Sequence, residues 1–183
     1  IIQGRAQAFN IIGADIWGQF SSYGMSVVPF FILMGNIAFR AGVTSDLFRA
    51  AYTWIGQVRG GMAVTTVVAS SFFGAICGSN AATAATMGTI ALPAMKKFGY
   101  ADGLSAGSVA AGGTLGVMIP PSVVLIVIGI QYNLSIAKLF VAELPAGILL
   151  TLLFAITVLL ICWSKPQLGP AGPKTTFVEK IKG

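Results

Sequence analysis

Histidine is absent from this 183-residue chain, and charged side chains make up only 9% of it. The five acids, Asp15, Asp46, Asp102, Glu143 and Glu179, border apolar runs rather than interrupting them. The interior of those runs therefore lacks the usual general acids, general bases and metal ligands. Intramembrane proteolysis by a serine needs a His or Lys partner, and by aspartates a buried Asp pair; the apolar runs hold neither. An enzyme is not expected. The only cysteines, Cys77 and Cys162, lie inside apolar runs, which excludes a disulfide framework and leaves no signal about redox compartment.

What the chain has instead is apolar surface. It is 56% hydrophobic, with a mean hydropathy of +0.87, values expected of an integral membrane protein rather than a domain with a watered exterior. The net charge of +6 comes from eleven Lys and Arg. No aromatic-interleaved basic patch accompanies it, so it reads as a topology signal and no nucleic-acid partner is expected. The chain begins without Met, and "IIQGRAQAFN" lacks the basic start and short apolar core of a signal peptide; it reads as part of a longer polypeptide.

The charges delimit four uncharged runs, residues 16–39, 60–95, 103–137 and 144–164. About 20 helical residues cross a hydrocarbon core of about 30 Å. The first and last runs therefore hold ordinary spans, 23–39 and 144–164, with Trp163 and Lys165 as interface anchors. The middle runs would measure about 54 and 52 Å as straight helices, too long for one crossing, yet two crossings and a turn need more than about 40 residues. Each is expected to be broken or re-entrant. The first break belongs at Gly78-Ser79-Asn80, with arms of about 17 and 13 residues. The second belongs at "GGTLGVMIPPS", residues 112–122, where glycines and the Pro120-Pro121 pair interrupt a helix. Backbone that is not helical survives at membrane depth only where protein or a wet cavity surrounds it.

Charge sidedness favours a hairpin at 60–95 that enters and returns. Arg40, Arg49, Arg59, Lys96, Lys97, Lys165, Lys174, Lys180 and Lys182 then share one face, and only Arg5 and Lys138 fall on the other, as expected if the larger set is cytoplasmic. Segment 44–59 carries Leu47, Ala51, Trp54, Ile55 and Val58 at helical spacing beside Arg49 and Arg59, which predicts an amphipathic helix on the cytoplasmic membrane surface. The expected organisation is a periplasmic or interfacial segment 1–22, a transmembrane region 23–163 including a broken span at 103–131, and a Pro/Gly-rich cytoplasmic loop at 164–183. The fold class is all-α integral membrane, with a re-entrant helical hairpin and a broken helix.

A helix that stops at membrane depth leaves free N–H groups at the start of the next piece and free carbonyls at the end of the last. Two such breaks face to face supply oxygen ligands for a hard cation and N–H groups for an anion without any charged side chain. Ser79, Thr83 and Thr86 also form a hydroxyl stripe at i, i+4, i+7, while Ala81, Ala82, Ala84 and Ala85 permit close approach. The alternative for that stripe is helix packing alone.

"FFGAICGSNAATAATMGTIALPAMKKFGY" followed by "AAGGTLGVMIPPS" closely resembles the large membrane subunit of tripartite ATP-independent periplasmic (TRAP) transporters, of DctM type. "VVPFFILMGNIAFRAG" and "SIAKLFVAELPAGILL" fit the same family, so the resemblance spans about residues 23–163 in four ordered motifs. It implies the first of two inverted repeats in an elevator-type half, in the bacterial cytoplasmic (inner) membrane. It implies import of organic acids, C4-dicarboxylates or related carboxylates, driven by Na+, with a periplasmic substrate-binding protein and a small membrane subunit as partners beside the lipid bilayer. Carried over by residue, it implies a cation site at Ser79, Asn80, Gly116, Ile119 and Pro121, with Cys77 offering at most its carbonyl because a thiol is a poor ligand for a hard cation. It implies substrate contacts at Ser79, Asn80, Thr83 and Thr114, and no organic cofactor. The competing functions are a stand-alone sodium/dicarboxylate symporter of the same superfamily and a membrane scaffold that transports nothing.

Overall fold

In the computed structural model of the chain, residues 5–21 and 23–172 are described, and every element among them is an α-helix. The order is α1 (Arg5–Phe20), α2 (Tyr23–Arg40), α3 (Val43–Ile55), α4 (Gly61–Cys77), α5 (Asn80–Lys97), α6 (Asp102–Thr114), α7 (Val123–Gln131) and α8 (Ile136–Ser164). The expected segment 1–22 thus carries a helix. Of the expected loop 164–183, residues 173–183 lie outside the described residues.

α4 is the centre of the fold and packs against α2, α3, α5, α6 and α8. Nearly all of it is buried, although it contains Thr65, Thr66, Ser70 and Ser71. Three of those hydroxyls return to their own helix: Thr66 Oγ1 donates to the Met62 carbonyl (2.9 Å), Ser70 Oγ to Thr66 (2.7 Å) and Ser71 Oγ to Val68 (2.7 Å). On α6, Ser105 and Ser108 do the same toward Ala101 and Leu104. Polar groups satisfied this way can be buried without a cross-helix partner, and their small size lets backbones approach closely. Packing is therefore the role of Thr66, Ser70, Ser71, Ser105 and Ser108, whereas the buried Thr65 hydroxyl has no hydrogen-bond partner among the described residues. Phe73, Met87, Met95 and Leu115 fill the core around them.

α3 departs from expectation. It ends at Ile55, bends 62° from the apolar part of α2, and buries Thr44, Phe48 and Thr53 against the core with Leu47, Ala51, Tyr52 and Ile55 packed beside them. Trp54 and Val58, expected on the same apolar face, are exposed. The buried stripe runs through Thr44, Phe48, Ala51 and Ile55, where α3 packs against α4. Val58 lies past the helix end, in the turn to α4.

α8 is longer than the expected span 144–164. It starts at Ile136, so Lys138 and Glu143 are helical. It is the described helix long and apolar enough to cross a membrane unaided, with a mean hydropathy of 2.6 over its best window. Many of its side chains, among them Leu149, Leu153, Ile156 and Leu160, point outward.

The chain after α8 folds back on the helix ends. Gly60 N–H donates to the Gly169 carbonyl (3.0 Å), Ala101 N–H to Leu168 (3.0 Å) and Gly172 N–H to Gly56 (3.2 Å). Tyr100 is buried, with its hydroxyl accepting from Met62 N–H (3.2 Å). Burial pushes the Tyr100 phenol above its ordinary pKa.

Candidate functional site

Two interruptions meet beside α4. At the first, Gly78 ends α4 in the left-handed region (φ 57°) with its N–H on the Gly74 carbonyl, a conformation glycine adopts without a β-carbon penalty. Ser79 is extended and caps α5, its Oγ accepting from Ala82 N–H at 3.4 Å. The two arms pack on each other, and the second, Asn80–Lys97, has 18 residues where about 13 were expected. At the second interruption α6 stops at Thr114 and α7 starts at Val123, leaving residues 115–122 out of helix; Gly112 and Gly113, expected in the break, still belong to α6.

Glycines close the space between the two breaks. A β-carbon on Gly116 would lie 2.7 Å from the Ser79 carbonyl oxygen and 2.7 Å from Thr83 Oγ1. One on Gly74 would lie 2.8 Å from Gly116 Cα, and one on Gly78 would lie 3.2 Å from the Pro121 carbonyl oxygen. Thr83 is wholly buried there, its Oγ1 2.9 Å from Cys77 Sγ. Cys77, Ser79, Thr83, Gly116 and Pro121 are thus brought together.

The other expected residues lie elsewhere around this point. Asn80 is exposed at the tip, so its amide needs no partner within the chain. Thr114 is exposed, and its Oγ1 donates to the Ala111 carbonyl (2.7 Å). Ile119 is half-buried and turns its side chain toward Gly147 of α8. Thr83 faces Gly116 and Cys77 rather than an open cavity.

Two features were not read from the sequence. Ser122, next to Pro121, is wholly buried and its Oγ has no hydrogen-bond partner among the described residues. A cavity of about 210 Å³ also opens between α2 and the tip, with Asn36, Cys77, Ser79 and Thr86 on its walls. Ser122 stands in the quoted motif, but only the fold reveals that its hydroxyl is orphaned. Asn36 is an amide within an apolar span, a signal the sequence carries.

The oxygens nearest the facing breaks, the Ser79 and Pro121 carbonyls and the Thr83 hydroxyl, are hard donors. Among the described residues no group of three His, Cys, Asp or Glu forms a site for a softer metal.

An all-helical chain with a long apolar helix and two facing interruptions is consistent with part of a membrane protein. The chain is a member of the DctM component family of tripartite ATP-independent periplasmic transporters, whose family model matches residues 1–178. It is 36% identical over 157 residues to the C4-dicarboxylate TRAP transporter large permease protein DctM of Pseudomonas aeruginosa, covering 86% of this chain and 36% of that protein. It is 40% identical over 149 residues to the isethionate TRAP transporter permease protein DctMQ of Oleidesulfovibrio alaskensis, covering 81% of this chain and 24% of that one. It is 29% identical over 182 residues to the sialic acid TRAP transporter large permease protein SiaM of Vibrio cholerae, covering 100% of this chain and 42% of that protein. The chain thus spans less than half the length of these relatives. They are transporter permeases, which agrees with a role other than catalysis of a reaction.

Proposed function

We propose that this chain forms one half of a sodium-coupled, multi-pass permease of the bacterial inner membrane, importing C4-dicarboxylates or related carboxylates. The acid arrives on a periplasmic binding protein, and a small membrane subunit completes the transporter. In this reading α4 and α5 form a hairpin that enters the membrane from the cytoplasm and returns, and α6 and α7 are the halves of a broken span. The half moves as an elevator body. Ser79, Asn80, Gly116, Ile119 and Pro121 hold the coupling cation.

The observation that carries the reading is the contact of Gly116 with the Ser79 carbonyl and Thr83 hydroxyl, which sets two free helix ends against each other. The orphaned Ser122 hydroxyl adds a buried oxygen in need of a partner. The relatives are named for C4-dicarboxylate, isethionate and sialic acid, so acids are the class to test first.

The test uses the complete transporter with its binding protein in proteoliposomes. Uptake of an acid from a panel of carboxylates should require a sodium gradient. Because Asn80 is exposed at the tip, Asn80→Ala should leave folding intact and raise the sodium concentration for half-maximal uptake by roughly ten- to a hundredfold, the loss of one cation ligand. An unshifted sodium titration would remove Asn80 from the site. Uptake without sodium dependence would overturn the coupling, and uptake without the binding protein would favour a stand-alone symporter.

A further inference from the structure

The two sides of the α4–α5 tip differ in chemistry. The side facing residues 115–122 presents carbonyl oxygens, from Ser79 and Pro121. The side facing α2 opens on the cavity of about 210 Å³, where Asn36, Ser79 and Thr86 supply an amide and two hydroxyls.

Thr86 is 8% exposed, and its hydroxyl forms no hydrogen bond among the described residues; only its backbone carbonyl is used, by Thr89. The side chain lines the cavity, so its hydroxyl is open to the cavity and free to donate into it. Asn36 Nδ2 donates to the Ile32 carbonyl at 3.0 Å, which leaves one N–H and the side-chain oxygen free. Its neighbours along α2, Ile32, Leu33, Ile37 and Phe39, are all apolar, so this amide is the polar point of its helix surface. Ser79 accepts from Ala82 N–H and keeps its own proton to donate. Ser79 and Ala82 also place the first turn of α5, the positive end of its dipole, on the same cavity wall.

We infer that Asn36 and Thr86 bind a carboxylate group of the transported acid in this cavity, on the opposite side of the tip from the cation. The inference rests on the transport reading above and assigns two residues outside the expected site. The donors are neutral, so the carboxylate is held by N–H and O–H groups and a helix end rather than by a counter-charge. The volume lies below the roughly 300–1,000 Å³ of pockets for drug-sized ligands, so it takes one end of an acid. The hydroxyl stripe divides accordingly. Thr83 turns to Gly116 and locks the tip, whereas Ser79 and Thr86, two turns apart, face the acid.

The experiment first measures uptake of succinate, malate and N-acetylneuraminate by the complete transporter. It then titrates the acid that is taken up into the purified permease and small-subunit complex at saturating sodium. Thr86→Val and Asn36→Leu should each weaken acid binding by about tenfold, with half-saturating sodium and melting temperature within about twofold and about 2 °C of the parent. Thr86→Ser, which keeps the hydroxyl, should bind the acid as the parent does. Unchanged acid affinity in both variants overturns the inference and leaves the transport reading standing. So does a shift in sodium affinity alone, which would move the cation to this side, or a loss of melting temperature with unchanged acid affinity, which would make the pair packing residues. Failure to take up any of the three acids overturns the transport reading for that class and this inference with it.

Discussion

Gly60 donates its N–H to the carbonyl of Gly169 over 3.0 Å, joining the start of α4 to the chain that follows α8. One residue earlier, Leu168 accepts from Ala101, at the far end of the α4–α5 pair. Both feet of that pair therefore stand at the same end of α8, while the α7–α8 turn at Tyr132–Ser135 lies at the other.

Single cysteines at exposed Lys97, Gln167 and Asn133 turn this into a test of sidedness. In intact cells and inverted vesicles, Lys97→Cys and Gln167→Cys should react with an impermeant maleimide from the cytoplasmic side and Asn133→Cys from the outside. The native thiols Cys77 and Cys162 are buried and should stay silent. Labelling of positions 97 and 133 from one side would refute the re-entrant arrangement.

Gly116 and Gly103 should respond to alanine in opposite directions. At Gly116 the new methyl meets a backbone oxygen and a buried hydroxyl at 2.7 Å, and overpacking of this kind costs roughly 1–3 kcal/mol. Gly103 has nothing within 4 Å and is helical, so Gly103→Ala should stabilise by roughly 0.5–1 kcal/mol. Thermal unfolding of the purified complex checks both.

Replacing Pro120 and Pro121 together with Ala restores two N–H donors and removes two rings that obstruct a helix. The stretch 115–122 should then gain helix at the expense of its free carbonyls. Sodium-dependent uptake should fall while the amount of protein in the membrane holds; full uptake would show that the break is dispensable.

Tyr100→Phe removes the acceptor for a buried Met62 N–H, at a cost of about 1–3 kcal/mol, read as a lower melting temperature. The parent carries a pH signature at the same residue. Burial raises the phenol pKa in the folded state above its unfolded value, so this contribution is fully present below about pH 10 and declines as pH rises through the folded value. Between the two values Tyr100→Phe should lose less stability than the parent as pH rises.

The helix interruptions were legible because local chemistry decides them. Gly78 takes a left-handed conformation, Ser79 caps, and prolines at 120 and 121 withhold donors, whatever surrounds them. The expected apolar residues of α3 divide: Leu47, Ala51 and Ile55 pack on a core that no window within 44–59 contains, while Trp54 and Val58 stay exposed. α8 starts eight residues before the expected span 144–164, since charged residues such as Lys138 and Glu143 can stand in the outer turns of a long helix. In the candidate site, Gly116 and Pro121 were legible from the breaks themselves. Asn36 and Thr86 were not, since α2 and α5 are brought together by contacts distant in the chain, such as Gly35 against Cys77.

The 29 residues of α8 amount to about 43 Å of helix, against a hydrocarbon slab of about 30 Å. Tilt alone would need about 46° to absorb the excess, beyond the usual range of 0–40°, so the surplus is expected in the first two turns, which carry Lys138 and Glu143. That surplus works as slack. A thicker bilayer draws the helix upright and a thinner one lays it over, and neither has to strip a charge of its water. Anchorage by α8 should therefore tolerate changes of lipid chain length that would strain a span cut to 21 residues.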